Sequence, residues 1–201
     1  MIRKIQATFL ATFFVATSAA LASPEIGAPA PDFTLTSSVG NEHSLSDFKG
    51  KFVVLEWINY DCPFVVKHYT NGDMQALQTK YRDQDVVWLS ISSSKPGSQG
   101  HFDADGINAR MEQEKANPTA YLIDEPGEVG KAYGARTTPH MFIIDPEGNL
   151  IYKGGIDDNR SANPDDVKTA NNFVVEALTA AMAGEAVPNP VTQEYGCSVK
   201  Y

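Results

Sequence analysis

The sequence predicts an α/β sandwich, in which helices flank a mixed β-sheet. Short apolar runs of strand length alternate with segments whose apolar residues recur at helical spacing, and the folded part of the chain finishes with a hairpin and a helix. The chain has 201 residues, of which 42% are hydrophobic and 20% charged. This length and composition are typical of one ordinary globular domain with a full-sized core.

The first segment, residues 1–22, has the pattern of a cleavable secretory signal. Arg3 and Lys4 precede an apolar stretch, and small residues at Ala20 and Ala22 end it. We expect cleavage after Ala22 and export to a bacterial periplasm. A membrane anchor is the alternative, but the apolar stretch is short and is interrupted by threonine and serine, so no stable anchor is expected.

The net charge of the chain is −9, and loss of the basic start with the signal makes the exported protein more acidic still. An acidic protein repels phosphate backbones and anionic lipid headgroups. The charge therefore disfavours nucleic acid and membrane surfaces as partners.

The folded domain is predicted over residues 23–184, and its apolar runs define the sheet. The turn sequence between Asp145 and Asn149 separates two of these runs and predicts a β-hairpin of residues 141–144 with residues 150–153. The other predicted strands are the apolar runs at residues 52–58, 86–91 and 121–123.

Helical spacing occurs at Met74, Leu77 and Tyr81, and again in a longer segment from Val167 to Met182. Gly184 follows the longer segment and is a typical helix stop signal. Residues 185–201 hold two prolines and are predicted to form a tail laid over the domain.

Cys62, one of only two cysteines, lies just after the apolar run 52–58 and directly before Pro63. Proline suits the first turn of a helix, so Cys62 is predicted at the helix start, where the positive end of the helix dipole favours a thiolate. The neighbouring carboxylate of Asp61 would raise the thiol pKa, unless it turns away to cap the helix. The alternative to a reactive thiol is an inert, buried cysteine.

A second informative stretch ends at Thr138-Pro139, directly before the strand of the hairpin. Proline cannot donate a hydrogen bond to a sheet ladder, so it belongs at the beginning of a strand. A cis peptide bond at Thr138-Pro139 is expected of a functional site, and an ordinary loop proline is the alternative.

Three stretches in this order resemble the thioredoxin-fold redoxins, the class that includes the alkyl hydroperoxide reductase and thiol-specific antioxidant family: residues 57–65, 137–139 and 142–148. The resemblance extends over about residues 28–184. It implies a thioredoxin-like sandwich of the peroxiredoxin or redoxin subtype. It is closest to peroxiredoxin-like exported proteins in which Cys-Pro-Phe-Val replaces Cys-x-x-Cys.

The resemblance implies that Cys62 is the nucleophilic cysteine and Pro139 the cis-proline that packs against its sulfur. Asn59 stands where peroxiredoxins carry a threonine, and Arg136 lies near the place of their active-site arginine but in a different motif. Thr138, His140 and Trp57 are expected to support the site. No cofactor is implied.

The implied substrates are a peroxide or a protein thiol or disulfide, with an external thiol as reductant. Cys197, in the tail, is then either a resolving cysteine that attacks oxidised Cys62 or half of a permanent structural disulfide. The sequence leaves both alternatives open.

Two histidines suggest an alternative function, the binding of copper or another soft metal. His68 and His140 could join Cys62 and Cys197 in a site of two sulfur and two nitrogen ligands. His140 could instead donate a proton near the sulfur. The acidic pair Asp157 and Asp158 is predicted to be solvated.

Overall fold

The computed structural model describes residues 23–201, so the predicted signal lies outside the described part. A seven-stranded mixed sheet is the centre of the fold. Its strands are β1 (Thr34–Ser37), β2 (Glu42–Ser44), β3 (Val53–Trp57), β4 (Val87–Ser92), β5 (Ala120–Ile123), β7 (His140–Ile144) and β8 (Leu150–Gly154). They lie in the order β2-β1-β5-β4-β3-β7-β8 across the sheet. The sheet confirms the predicted α/β class and the predicted hairpin, which is β7 and β8.

Two short strands, β6 (Thr137–Thr138) and β9 (Cys197–Ser198), form a separate antiparallel pair. β9 belongs to the predicted tail, so this pair attaches the end of the chain to the domain. The helices are α1 (Pro63–Thr70), α2 (Asp73–Arg82), α3 (Ala104–Glu114), α4 (Glu128–Tyr133) and α5 (Phe173–Met182). Within residues 23–201, no helix has the length and apolarity needed to cross a membrane.

Strand β3 lies inside the sheet, parallel to β4 and antiparallel to β7. All five of its residues are buried, as its apolar run predicts. Side chains alternate between the two faces, so Val54 packs in one core cluster, while Val53, Leu55 and Trp57 pack in the other. The carboxyl end of β3 leads directly to Cys62.

The last helix is shorter than its apolar spacing predicts. It begins at Phe173, where the Asn172 side chain accepts a hydrogen bond from the backbone of Val175, and Val167 lies in a separate 3-10 turn. Asparagine is a strong N-cap because its side-chain oxygen pairs with a free N–H of the first turn. The predicted stop at Gly184 is confirmed, since this residue has the left-handed conformation just beyond the helix.

Helices α3 and α4 were not predicted from the sequence. The Asp103 side chain caps α3 by accepting a hydrogen bond from Gly106 N, which is a signal that the sequence contains. Neither helix has more than two buried residues, so the apolar spacing was too weak to reveal them.

Candidate active site

Cys62 is the N-cap residue of α1, and Pro63 occupies the first helical position, as predicted. The Cys62 backbone N–H donates to Asn59 O at 2.9 Å, which closes the turn between β3 and the helix. The Cys62 side chain is completely buried, with 0% exposure. Cys62 lies at the positive end of the helix dipole, so the helix start favours negative charge on this sulfur.

The peptide bond between Thr138 and Pro139 is cis, which confirms the prediction. The Thr138 carbonyl accepts a hydrogen bond from the Cys62 thiol at 3.0 Å, so the residue before the cis-proline faces the sulfur. The Thr138 hydroxyl is buried and has no hydrogen-bond partner. It is therefore available to donate to an ionised Cys62 sulfur.

Cys197 lies directly against Cys62. Strand β9 places Cys197 opposite Thr138, and the Cys197 backbone N–H donates to the Cys62 sulfur at 3.4 Å. Both cysteines are free thiols, and Cys197 is half-buried. The tail thus brings together the only two sulfurs from which an intramolecular disulfide could form.

The two thiols differ in acidity because Cys197 stabilises the ionised form of Cys62 by hydrogen bonding. Burial opposes ionisation of Cys62, but hydrogen bonds from Cys197 and Thr138 outweigh it and lower the pKa of Cys62 below its ordinary value. Burial, the hydrogen bond to Cys62 and the charge of the Cys62 thiolate raise the pKa of Cys197 to about 12. Cys62 is therefore the more acidic thiol of the pair, and Cys197 stabilises its ionised form by donating a hydrogen bond.

Asp61 does not cap the helix. Its carboxylate forms an ion pair with Arg110 Nη1 at 3.0 Å, and the same guanidinium donates to the Tyr60 carbonyl at 2.9 Å. The negative charge beside Cys62 is thus balanced by a cation. Neither of the two alternatives for Asp61, a helix cap or an unbalanced charge beside the thiol, describes this arrangement.

Asn59 is buried and shapes the loops around the cysteine. Its side-chain oxygen accepts from the Asp61 backbone at 2.9 Å, and its amide donates to Gln99 O at 3.4 Å. It makes no hydrogen bond to the Cys62 sulfur. Its observed contacts therefore differ from those of a hydroxyl that orients a thiolate.

Arg136 and His140 make contacts away from the sulfur. The Arg136 guanidinium is 74% exposed and pairs with Glu194 of the tail at 3.4 Å. His140 Nδ1 accepts from the Arg136 backbone at 3.2 Å. Burial, together with the charges of Arg136 and Lys153, lowers the pKa of His140 to about 3, so its imidazole is neutral at physiological pH and is a poor proton donor.

Trp57 lies on the opposite face of the sheet from Cys62, which contradicts the expectation that it supports the site. It packs against Tyr133 and Phe142 in the second core cluster, and its indole N–H donates to Ser93 Oγ at 3.0 Å. Side-chain alternation along β3 explains the difference.

The alternative metal site is not formed. His68 Nε2 lies 3.2 Å from the Tyr195 hydroxyl, and His140 is hydrogen-bonded to the Arg136 backbone. In the described part of the chain, no three His, Cys, Asp or Glu side chains are grouped as ligands would be. Cys62, His68, His140 and Cys197 therefore do not make a two-sulfur, two-nitrogen site.

A buried polar cluster behind the cysteines was missed from the sequence. Its members are Lys67 and His68 on α1, Asp157 on the loop after β8, and Tyr195 on the tail. The Asp157 side chain is only 2% exposed and pairs with Lys67, so the prediction of a solvated acidic pair is wrong for this residue. A lysine in the middle of a half-apolar helix was the one available signal.

Glu56 is a second missed residue. It is the single charged residue of β3, and its carboxylate is completely buried. Burial raises the pKa of Glu56, although four side chains oppose this by donating hydrogen bonds to it. A glutamate inside an apolar strand was a signal of a buried, fully paired carboxyl group. The donors are Tyr69, Gln78, Trp88 and Ser90.

Comparison with known proteins assigns this site to a family. The sequence profile of the AhpC/TSA family matches residues 26–153. The chain belongs to the AhpC/TSA family. Within 127 residues it is 32% identical to the thiol-disulfide oxidoreductase ResA of Bacillus thuringiensis subsp. konkukian, an alignment that covers 63% of this chain and 68% of ResA. The peroxiredoxin Bcp of Bacillus subtilis is 28% identical over 149 residues, with coverage of 63% and 82%.

Solved structures agree with this assignment. An uncharacterised conserved protein from Geobacillus kaustophilus superimposes with a TM-score of 0.73 and 30% identity, over 88% of this chain and 92% of its own. The thioredoxin domain of a thiol-disulfide oxidoreductase from Bacteroides vulgatus has a TM-score of 0.53 and 22% identity, over 73% and 98%. This AhpC/TSA protein therefore has a thioredoxin-like fold. Its similarity to ResA and Bcp identifies it as a thiol oxidoreductase.

Proposed function

We propose that the protein is an exported, peroxiredoxin-like thiol oxidoreductase in which Cys62 attacks a peroxide and Cys197 resolves the product. One observation carries this proposal: the Cys197 backbone N–H donates to the Cys62 sulfur, with both thiols free. A second thiol held against the first can form a disulfide without a large movement of the chain.

The reaction has two balanced steps. The Cys62 thiolate attacks one oxygen of a hydroperoxide, the O–O bond breaks, and the other oxygen leaves as an alkoxide or hydroxide that takes up a proton. Cys197 then attacks the sulfur of the Cys62 sulfenic acid, the S–O bond breaks, and water leaves as the disulfide forms. An external thiol reductant reduces this disulfide and returns both cysteines to thiols.

Burial of Cys62 supports a small oxidant as the first substrate. The sulfur has no exposed surface and lies beneath the tail, whereas Cys197 is partly exposed. A small hydroperoxide needs a much smaller opening than a folded protein does. A protein disulfide or thiol meets Cys197 first.

Direct thiol-disulfide exchange is the second candidate function, and the similarity to ResA favours it. In that case the Cys62–Cys197 pair would reduce or oxidise a protein partner without peroxide. The two candidates differ in the first oxidant that converts the dithiol to the disulfide.

The test is the intact mass and free-thiol count of the reduced protein after exposure to one equivalent of hydrogen peroxide. Rapid loss of two hydrogen atoms with both thiols blocked supports the peroxidase proposal. Unchanged thiols after peroxide, together with rapid oxidation by a disulfide-bonded protein, would instead establish the exchange function.

Export is tested separately, because residues 1–22 lie outside the described part of the structure. Expression of the full chain in a bacterium should yield a periplasmic protein whose N-terminal residue is Ser23. Recovery of an uncleaved protein from the cytoplasm would contradict the export proposal.

A further inference from the structure

The tail is fastened to the domain by a buried cluster that contains neither cysteine. The Tyr195 hydroxyl donates to Asp157 Oδ1 at 2.5 Å and lies 3.3 Å from Lys67 Nζ and 3.2 Å from His68 Nε2. Lys67 Nζ also donates to Asp157 Oδ2 at 3.2 Å and to Asn159 O at 2.5 Å. One tail hydroxyl therefore connects three polar side chains of the domain.

The side chains that Tyr195 contacts are buried, so their hydrogen bonds depend on the tail lying in this position. The side chains of Lys67 and Asp157 are 0% and 2% exposed, so neither charge has water as an alternative partner. The Tyr195 ring also packs edge-on against Phe64 at a centroid distance of 5.9 Å. Lifting the tail would remove a hydrogen bond from a buried carboxylate, which is more costly than the loss of a surface contact.

The position of Tyr195 determines where Cys197 lies, because only Gly196 separates them. Gly196 has a φ of +135°, and a Cβ atom at this residue would lie 2.0 Å from the Thr138 carbonyl oxygen. The backbone at residue 196 is thus pressed against the cis-proline loop, and the following residue pairs with Thr138. Little freedom remains between the Tyr195 anchor and the Cys197 sulfur.

We propose that Tyr195 is a positioning residue that docks the tail on Lys67 and Asp157 and so holds Cys197 beside Cys62 before any disulfide forms. This inference rests on the proposed role of Cys197 as the resolving cysteine. The noncovalent contacts of Tyr195 with Lys67 and Asp157 keep the two thiols close together. The tail therefore stays in place when the disulfide is reduced.

The anchor governs what happens to the Cys62 sulfenic acid. With Cys197 held in place, condensation to the disulfide is intramolecular and fast. With a loosened tail, the same sulfenic acid reacts more often with an external nucleophile, such as a 1,3-dione that forms a thioether and releases water. Loss of the anchor therefore redistributes the product from the disulfide toward the adduct. This product ratio is read after all of the peroxide has reacted, so it does not depend on how fast Cys62 attacks.

The test compares Tyr195→Phe with Tyr133→Phe in the reduced protein. Both variants lose a buried hydroxyl and keep the ring, but the Tyr133 hydroxyl donates to Pro31 O and makes no hydrogen bond to the tail. Each protein receives one equivalent of hydrogen peroxide in the presence of dimedone, and intact mass measures the ratio of dimedone adduct to disulfide. We expect this ratio to rise about tenfold in Tyr195→Phe and to stay unchanged in Tyr133→Phe.

A second readout is the equilibrium of the Cys62–Cys197 disulfide with dithiothreitol. The disulfide of Tyr195→Phe should be about tenfold easier to reduce than that of the wild type, because its thiols are held together less well. A general loss of stability would change both tyrosine variants alike. An adduct ratio and a reduction equilibrium equal to those of the wild type would overturn the positioning role.

Failure of the proposed function has a different signature, in which the wild type gives neither disulfide nor adduct. The anchor is then tested by hydrogen exchange of the reduced protein at the amide of Val199, which donates to Arg136 O. Faster exchange in Tyr195→Phe than in Tyr133→Phe supports the tail anchor, and equal exchange overturns it.

Discussion

The two cysteines of the site are placed by different physical means. Cys62 lies where a buried central strand passes into a helix, and backbone hydrogen bonds of β3 and α1 hold it there. Cys197 lies in a tail with only two residues of strand, where the short pairing with β6 and the side-chain contacts of Tyr195 hold it. The nucleophile is therefore part of the regular scaffold, whereas its partner depends on a few tertiary contacts.

This difference matches the chemistry proposed for each thiol. A nucleophile benefits from a rigid position with oriented hydrogen-bond donors, which the start of a helix provides. A resolving thiol must move far enough to form and break a bond, and a short tail strand permits that motion more easily than a central strand. Removing Cys62 should therefore abolish the reaction with peroxide, whereas changes to the tail and its contacts should alter resolution, stability and the acidity of Cys62 to smaller degrees.

The largest expected effect is that of removing the nucleophile. Cys62→Ser should lower peroxide consumption by a factor on the order of a thousand or more, because a serine hydroxyl is not ionised at neutral pH. The measurement is peroxide loss with an excess of thiol reductant. As a control, Cys197→Ser should still lose the Cys62 thiol to one equivalent of peroxide. Retained peroxide consumption by Cys62→Ser would show that Cys62 is not the nucleophile.

The second effect is on stability, through the buried ion pair behind the tail. Lys67→Met leaves the Asp157 carboxylate buried without its cation, so we expect a loss of about 3–5 kcal/mol in the free energy of unfolding. The measurement is urea denaturation at neutral pH.

A surface pair supplies the control for this variant. Lys51 pairs with Asp85 at 2.5 Å, but the side chains are 44% and 76% exposed. Lys51→Met should therefore cost less than about 1 kcal/mol. Equal losses in the two variants would show that the buried pair does not hold the structure more strongly than a surface pair.

The third effect is a loss of stability in acid, because the folded protein buries two neutral imidazoles, those of His68 and His140. Burial and the charge of Lys67 lower the pKa of His68 to about 3, although the Asp157 carboxylate lies 3.8 Å away. The pKa of His140 is also lowered to about 3, mainly by burial and to a smaller extent by nearby cations. Unfolding lets both imidazoles take up protons with an ordinary pKa of about 6.5.

The unfolded state thus binds more protons than the folded state between about pH 3 and pH 6.5. The stability from these groups is fully present above about pH 6.5 and is lost as the pH falls toward 3. Well below pH 6.5, each imidazole should contribute a slope of about 1.4 kcal/mol per pH unit. Urea midpoints measured from pH 5 to 7 provide the test, and His68→Gln should reduce the slope. A slope unaffected by this replacement would contradict the assignment.

The smallest expected effect is on the acidity of Cys62. Cys197→Ala removes the side-chain hydrogen bond that favours the Cys62 thiolate, so the pKa of Cys62 should rise toward the ordinary value of about 8.5. The measurement is the pH dependence of the rate at which iodoacetamide alkylates the single remaining thiol, compared with Cys62 alkylation in the wild type. A lower midpoint in the variant would show that burial by the tail, not hydrogen bonding, dominates the acidity.

Much of the scaffold could be predicted because its signals are local. The apolar run at residues 52–58, the Pro63 helix start and the turn after Asp145 each depend on neighbours in the chain. The weakly apolar α3 and α4 lacked such a signal. The helix from Phe173 was overextended because the spacing at Val167 continued across a capping asparagine.

Some residues of the site could be predicted from the sequence, and others could not. Cys62 and the cis bond before Pro139 follow from proline chemistry and from the family resemblance, and both are where the sequence predicts them. Trp57 was expected to support the site, but it packs on the opposite face of the sheet, a placement that only the tertiary structure decides.

By itself, the sequence determined the α/β class, the position of Cys62 at a strand-to-helix junction and the turn chemistry around it. Only the tertiary structure decided that Cys197 meets Cys62 and that Lys67 pairs with Asp157, 90 residues away in the chain. The physical reason is range: hydrogen-bonding propensity and periodicity act between neighbouring residues and are visible in the sequence. A long-range contact forms only after the whole chain has removed water from both partners, and no local pattern records that outcome.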